Sequence, residues 1–238
     1  MPPSHEPVQE RITGFWSAVA PEYEAHGGNV PARGSAEYAA WVDAIRDLLP
    51  PVPADVLDIA TGTGFVALIA AGLGHRVTGI DLAGPMLNEA RTAARRRALS
   101  VAFAAGDAVQ PEFPAASFDA IVNRHFIWTL REPVRAFRNW LRLLRPGGRV
   151  VSIDGFWFGQ ASEAAATDAA PNLFDGHYTP ETRAALPAMQ LTTAEPVAAQ
   201  FREAGFASVT VGNLAAVHAV AEDPPSRQPW YVVVARRP

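Results

Sequence analysis

An aspartate followed by two closely spaced glycines, Asp58-Ile59-Ala60-Thr61-Gly62-Thr63-Gly64, is the segment of this chain best suited to hold a small charged ligand. Glycine reaches backbone conformations closed to other residues and lets a ligand approach the main chain. With Ala67, Gly62 and Gly64 satisfy the spacing G-x-G-x-x-A of nucleotide-binding turns, and Asp81 closes the next apolar run, where an acid can hold ribose hydroxyls. Two ligand classes share that geometry. A diphosphate is favoured by bare backbone N–H groups at a helix N-terminus, and a carboxylate beside it is unfavourable. A nucleoside carrying a sulfonium and an ammonium is attracted by the same carboxylate, directly or through water. Asp58 favours the cationic nucleoside. The other role open to it is to cap the following helix or to satisfy loop amides.

A second group of reactive side chains follows a later apolar run, in Asn123-Arg124-His125-Phe126-Ile127-Trp128-Thr129-Leu130. His125 is the leading general-base candidate, because imidazole titrates near neutral pH, and the alternative is a histidine hydrogen-bonded in its loop that only shapes a pocket. His177 and Tyr178 are weaker alternatives as base. Phe126, Trp128, Phe156, Trp157, Phe158, Phe174 and Tyr178 concentrate aromatic surface in two segments, which suits an apolar or planar acceptor, although aromatics at such positions are more often core. Arg33 and Arg124 can pair with an acidic group on a substrate, with surface or structural ion pairing the default for Arg33. The six histidines, at positions 5, 26, 75, 125, 177 and 218, show no ligand-like spacing, and no catalytic metal is expected.

Alternation of short apolar runs with longer amphipathic ones from Asp55 onward is the pattern of β-α-β units around a parallel sheet. Strands are expected at 56–60, 77–80, 101–104, 120–122, 149–153, 208–211 and 231–235. Helices are expected at 65–71, 85–97, 133–144 and 194–204. In the third of these Val134, Phe137, Leu141 and Leu144 share one face and Arg135, Arg138 and Arg142 the other. Residues 10–49 read as two helices separated by a loop at 26–31. Residues 155–192 break the alternation and are expected to form an insertion over the site.

Composition removes several chemistries. The 238 residues contain no cysteine, so disulfides, thiolate nucleophiles and cysteine-ligated metals are excluded. All 20 basic residues are arginine, which excludes an internal lysine Schiff base, a P-loop lysine and a Tyr-x-x-x-Lys dyad. A net charge of −4 offers no general attraction to a polyanion, so nucleic acid is not an expected partner. No leader-like h-region and no apolar run of about 18 residues occurs, so neither secretion nor membrane spanning is expected and a cytoplasmic location is.

The 58–64 segment resembles the first motif of the class I S-adenosylmethionine-dependent methyltransferases, in particular the small-molecule group that includes the ubiquinone and menaquinone C-methyltransferases. That motif is commonly D-x-G-x-G-x-G; here alanine at position 60 replaces the first glycine, which could push the methionine end of the ligand outward. The resemblance continues through Val77-Thr78-Gly79-Ile80-Asp81-Leu82-Ala83-Gly84-Pro85-Met86-Leu87, then Gly106-Asp107-Ala108, Ser117-Phe118-Asp119-Ala120-Ile121-Val122 and Leu144-Arg145-Pro146-Gly147-Gly148-Arg149-Val150, in order from 55 to 154. A lone glycine motif is weak, whereas this ordered set is specific.

The resemblance implies a Rossmann-like, doubly wound, mainly parallel α/β sheet of seven strands. It implies S-adenosyl-L-methionine as cofactor and S-adenosyl-L-homocysteine as product, held by Tyr23, Asp58, Ala60, Gly62, Gly64, Asp81, Leu82, Met86, Asp107, Ala108 and Asn123. In the family the second acid binds ribose and the third meets the adenine amino group. Tyr23 belongs to a segment like the N-terminal helix that lies over the cofactor in relatives; its hydroxyl closes the site, or its ring simply packs under the lid. His125, Tyr23 and His177 are the catalytic candidates. Trp128, Arg124, Phe156, Trp157 and Tyr178 are the acceptor-side candidates. The expected organisation is one domain over 1–238, with a helical lid at 1–50, a cofactor-binding core at 51–154, an acceptor-side insertion at 155–192 and completion of the sheet at 193–238.

The expected activity is methylation of a small, apolar or aromatic metabolite at oxygen, nitrogen or carbon, in secondary metabolism, with a homodimer left open. An NAD(P)-dependent oxidoreductase would use Gly62, Gly64, Ala67 and Asp81 but leaves Asp58, Gly106-Asp107-Ala108 and the Pro146-Gly147-Gly148 turn unexplained. A protein that binds the cofactor without transferring methyl would carry the same motifs.

Overall fold

Short apolar runs can be buried on both faces of a sheet only if helices cover both sides, and the chain folds accordingly. The computed structural model describes residues 5–24, 30–158, 172–221 and 229–238. Helix α1 (His5–Val19) runs into a single 3-10 turn (Ala20–Glu22), and α2 (Ala36–Leu48) follows. The sheet is then laid down as β1 (Asp55–Ile59), α3 (Phe65–Gly72), β2 (Arg76–Asp81), α4 (Gly84–Arg96), β3 (Ala102–Ala105) and β4 (Phe118–Arg124). A 3-10 turn (Ile127–Thr129), α5 (Pro133–Leu143) and β5 (Leu144–Asp154) complete its parallel part. Short helices α6 (Leu173–His177) and α7 (Pro180–Ala184) precede α8 (Glu195–Glu203), β6 (Ser208–Asn213), α9 (Ala215–His218) and β7 (Tyr231–Arg236).

The seven strands lie in the order β3-β2-β1-β4-β5-β7-β6, parallel from β1 to β5, with β7 antiparallel to both neighbours. This is the mainly parallel, Rossmann-like α/β fold expected from the sequence. The chain winds outward from β1 to β3, then returns to place β4 on the other side of β1. That reversal opens a crevice at the carboxyl ends of β1 and β4, where open α/β sheets bind ligands.

One face of the sheet is covered by α5 and α8, whose Phe137 and Phe201 rings stack with centroids 3.7 Å apart. The other is covered by α2, α3 and α9 around the fully buried Trp41 and Trp230. Helix α5 corrects one expectation: its buried stripe is Ala136, Phe137, Trp140 and Leu143, while Val134 and Leu141 are only partly covered. Arg135, Arg138 and Arg142 face outward as the pattern requires.

Strand β5 begins at Leu144, before the Pro146-Gly147-Gly148 turn, and its register against β4 shifts between Phe118 and Ala120. The shift absorbs a proline that has no N–H and a Gly147 at φ +74°. Residues 26–29 of the loop expected at 26–31 and residues 159–171 of the insertion expected at 155–192 lie outside the described residues. The described part of that insertion forms α6 and α7, which pack against α1. No described helix is long and apolar enough to cross a membrane.

Candidate active site

The turn between β1 and α3 is built on left-handed backbone: Ala60, Gly62 and Gly64 have φ of +54°, +54° and +87°. Glycine is required at 64, because a Cβ there would stand 3.2 Å from both Ala90 and Phe103. At 62 a Cβ would meet nothing within 4 Å, so that position faces open space and glycine serves the backbone angle. Ala60 adopts the same region with a methyl group, at a cost of about 1–2 kcal/mol for an L-residue.

Asp58 lies under this turn, 2% exposed. One carboxylate oxygen accepts the Thr61 hydroxyl at 2.6 Å and the Ala67 N–H at 3.0 Å, so it ties the loop to the first turn of α3. This is the capping role that the sequence left open, and Asp58 does not line the cleft. Its influence on a ligand is through its field. Burial pushes its carboxyl up to about 7 despite those two bonds.

Above the turn a cleft of about 790 Å³, open solvent at its mouth included, runs along the carboxyl ends of β1, β2 and β4 and under α1. Its floor carries Ala60, Gly62, Asp81, Leu82, Met86, Asp107, Ala108 and Arg124. Asp81 accepts the Gly62 and Ala83 N–H groups, one on each oxygen, which leaves a lone pair on each for a ligand. Burial raises its carboxyl above the ordinary range. Asp107 spends one oxygen on the Val109 N–H at 2.8 Å. Leu82 is 38% exposed beside Asp81, an apolar surface suited to a flat ring. Two carboxylates with acceptor capacity, an apolar wall and an approachable main chain fit a nucleoside.

The roof is Gln9, Ile12, Thr13 and Trp16, one face of α1, followed by Tyr23. Tyr23 is half-buried, and desolvation of its phenol raises it above the usual value while it feels the charges of Arg124, Asp81 and Asp154. His125, Phe126, Thr129, Leu130 and Arg131 complete the wall at the exit of β4. His125 stands at φ +55°, with its ring against Trp157 (centroids 4.7 Å) and Trp230 (6.0 Å). Its Nε2 is buried without a hydrogen-bond partner. Burial, then the Arg124 charge, holds its imidazole well below 6.5, so it is neutral.

Several sequence candidates do not line this cleft. Asn123 is fully buried and donates to the Ser152 hydroxyl. Trp128 and Tyr178 join Val8, Ile12, Leu186 and Met189 in a separate apolar cluster between α1 and the α6–α7 segment. The Tyr178 hydroxyl, 2.9 Å from Thr129 Oγ1, accepts the Trp16 indole N–H at 3.2 Å. Phe156 stacks on Tyr231 in the opposite core, and Trp157 donates to Asp154. His177 contacts the Arg11 carbonyl through Nδ1 at 2.9 Å, on the outer side of α1. Large aromatic side chains at these positions gain more by packing on one another under the folded insertion than by lining a wet cleft.

Gln9, Ile12, Thr13, Thr129, Arg131 and Asp154 were not foreseen. The 9/12/13/16 spacing is one helical face, but nothing in it says that the face looks onto a cleft. Asp154 accepts the Gly155 and Trp157 N–H groups and, at 3.4 Å, that of Trp128, which knits together the loops beside His125. Burial pushes its carboxyl up to about 6.

A family model described as a methyltransferase domain matches residues 57–152. The ubiquinone/menaquinone biosynthesis C-methyltransferase of Bdellovibrio bacteriovorus is 33% identical over 163 residues, 67% of this chain and 66% of that protein. The nocamycin O-methyltransferase of Saccharothrix syringae is 33% identical over 60% of this chain and 48% of its own length. Among solved structures, the 4+2 cyclase SpnF has the same fold, with a TM-score of 0.62 and 23% identity over 96% of this chain and 93% of that one. The chain spans between about half and two thirds of the length of the curated relatives it matches. With the ordered motifs, the sheet order and the glycine turn over a nucleoside-shaped cleft, these matches establish that the chain belongs to the class I S-adenosylmethionine-dependent methyltransferases.

Proposed function

We propose that this protein transfers the methyl group of S-adenosyl-L-methionine to a small acceptor that enters the cleft beneath α1, and releases S-adenosyl-L-homocysteine. The observation that carries this reading is the joining of Asp81 to Gly62 at the floor of a cleft that also holds Asp107, Leu82 and Met86. Asp81 holds the ribose hydroxyls, Asp107 meets the adenine amino group, and Leu82, Met86 and Ala108 cover the adenine faces. The buried acids Asp58 and Asp154 set a negative field that favours a cationic ligand and opposes a diphosphate, which weighs against a nicotinamide dinucleotide.

The bound cofactor supplies a methyl group already activated by its sulfonium. The protein's part is to align the acceptor, exclude water and take up a proton where the acceptor carries one. Tyr23 and Trp16 close the cleft from above. His125, neutral and with an unpartnered Nε2 at the β4 exit, is the base in this reading. Ile12, Trp16, Phe126 and Leu130 give the acceptor an apolar bed, with Gln9, Thr13 and Thr129 as polar markers. The acceptor is a small apolar or aromatic metabolite rather than nucleic acid, and the enzyme works in the cytoplasm as a single domain with α1 and α2 as its lid.

Calorimetry against S-adenosylhomocysteine and NAD, then incubation with methyl-labelled cofactor and metabolite extracts followed by mass spectrometry, tests the reading. Labelled product together with S-adenosylhomocysteine binding is expected. Tight binding of the dinucleotide with none of S-adenosylhomocysteine would overturn it.

A further inference from the structure

Two chains of hydrogen bonds end on threonines of the cleft, and each chain starts at a group that can only donate. In the first, Arg131 Nε donates to Gln9 Oε1 at 2.8 Å. A guanidinium has no acceptor, so this bond fixes which end of the Gln9 amide is the oxygen. The amide nitrogen, itself only a donor, then meets Thr13 Oγ1 at 3.1 Å. Thr13 is thereby the accepting partner, and its own hydroxyl proton is not used in the chain.

The second chain starts at the Trp16 indole, whose N–H donates to the Tyr178 hydroxyl at 3.2 Å. That hydroxyl lies 2.9 Å from Thr129 Oγ1, a distance at which either oxygen can donate. Burial decides between them. Tyr178 is fully buried in the apolar cluster of Val8, Ile12, Leu186 and Met189, and Thr129 supplies the one acceptor for its proton among the described residues. Were Thr129 to donate, the phenol proton would be stranded in apolar surroundings, the costly arrangement for a buried polar group. Tyr178 therefore donates, and Thr129 is the accepting partner as Thr13 is.

Thr13 belongs to the roof and Thr129 to the wall of the same cleft, beside the apolar surfaces of Ile12, Trp16, Phe126 and Leu130. Among the described residues neither threonine proton has a further acceptor. A hydroxyl turns to suit its partner, so both protons are open to a ligand. The two chains thus make donors of residues that by type are donors and acceptors alike. On the nucleoside side Asp81 and Asp107 present acceptors; under α1 the cleft presents donors.

We propose that Thr13 and Thr129 donate to a carbonyl-type oxygen on the acceptor substrate, and so select an apolar or aromatic compound that carries such an oxygen over one that does not. This rests on the methyltransferase reading above and narrows its substrate class. A purely apolar compound would leave both protons unpaired inside the cleft, which lowers its affinity relative to the oxygenated one. Gln9 is a positioning residue in this scheme, because its amide N–H keeps Thr13 accepting within the chain and donating toward the cleft.

The test is ligand-observed NMR titration of the full chain saturated with S-adenosylhomocysteine. The probes are acetophenone and 2-acetylnaphthalene, each paired with its isopropenyl counterpart, in which C=CH2 replaces C=O with the shape kept. The wild-type protein is expected to prefer the ketone by about tenfold, the range of one or two neutral hydrogen bonds. In the double variant Thr13→Val with Thr129→Val the preference is expected to fall within about twofold of none, and with serine at both positions it is expected to persist. Gln9→Glu replaces the donating amide by a carboxylate that only accepts, which turns the Thr13 proton away from the cleft, and the ketone preference is expected to shrink by about threefold with both threonines in place. Should the valine variant fail to fold, as read by melting curves, Gln9→Glu decides alone. A wild-type protein that binds S-adenosylhomocysteine yet shows no ketone preference in either pair, absence of binding included, overturns the inference, as does a preference that survives the valine or glutamate substitutions or is lost with serine. Failure of the wild-type protein to bind S-adenosylhomocysteine overturns the cofactor reading itself, and this inference with it.

Discussion

The Asp81 carboxylate accepts the backbone N–H of Gly62 at 2.9 Å, so the acid at the end of β2 and the glycine turn after β1 form one unit. Its other oxygen takes the Ala83 N–H at 2.8 Å, which also fixes the start of α4. The residue that would hold ribose is thereby oriented before any ligand arrives.

Asp81→Ala should therefore lose more than a ligand contact. Two N–H groups lose their acceptor, at about 1–3 kcal/mol for each that stays buried, so thermal stability should fall together with affinity. S-Adenosylhomocysteine binding is expected to weaken by tenfold or more, read by calorimetry alongside melting curves. Equal affinity would discredit the ribose assignment.

Asp58 gives the site a pH dependence. Its carboxyl is pushed up to about 7, so the empty protein holds it largely protonated at pH 6 and largely ionised at pH 8. A cationic ligand favours the ionised form and drives the proton off. Affinity for S-adenosylmethionine should then fall as pH drops below about 7, by up to tenfold per unit, with proton release visible in buffers of different ionisation heat. In Asp58→Asn that slope should be flattened; an unchanged slope assigns it to another group.

His125→Ala is expected to lower turnover by about 10²–10⁴-fold if the imidazole takes the acceptor's proton, with S-adenosylhomocysteine affinity almost intact. Because burial and Arg124 hold the imidazole well below 6.5, it stays unprotonated through the neutral range. The wild-type rate should accordingly show no loss attributable to His125 between pH 8 and 7 and should decline only in distinctly acidic buffer. Unchanged turnover in the variant removes His125 as the base.

Ala60→Gly removes a methyl group from a left-handed position. The relief of about 1–2 kcal/mol is partly offset by the extra freedom of glycine in the unfolded chain, about 0.5–1 kcal/mol. A net gain of about 0.5–1 kcal/mol should raise the melting temperature by about 1–4 °C in a domain of this size. An unchanged or lower value would show that the Ala60 methyl contributes more by packing on the core than it costs in backbone strain.

The cofactor half was legible because it is local. Asp58, Gly62, Gly64 and Asp81 sit at strand ends and in a tight turn, where backbone angle, hydrogen bonding and field all follow from a few consecutive residues. The same is true of the strands themselves, since a buried parallel strand needs an unbroken apolar run and little else. Ala60 was visible as a departure from the family motif, and its cost became visible with its φ.

The acceptor half depended on contacts between residues far apart in the chain. Trp128, Phe156, Trp157 and Tyr178 carry the composition of a pocket, yet Tyr178 reaches Trp16 and Thr129, Trp157 reaches Asp154, and Phe156 reaches Tyr231. An aromatic side chain is equally at home in a core and in a binding site, so its type alone decides neither. The sequence by itself determined a parallel sheet with a glycine turn between two acids. Only the tertiary structure decided that α1 presents Gln9, Ile12, Thr13 and Trp16 to the cleft and that Arg124 packs against the Trp41 and Phe65 rings at the end of β4, because packing across long sequence separations is settled by which surfaces exclude water together.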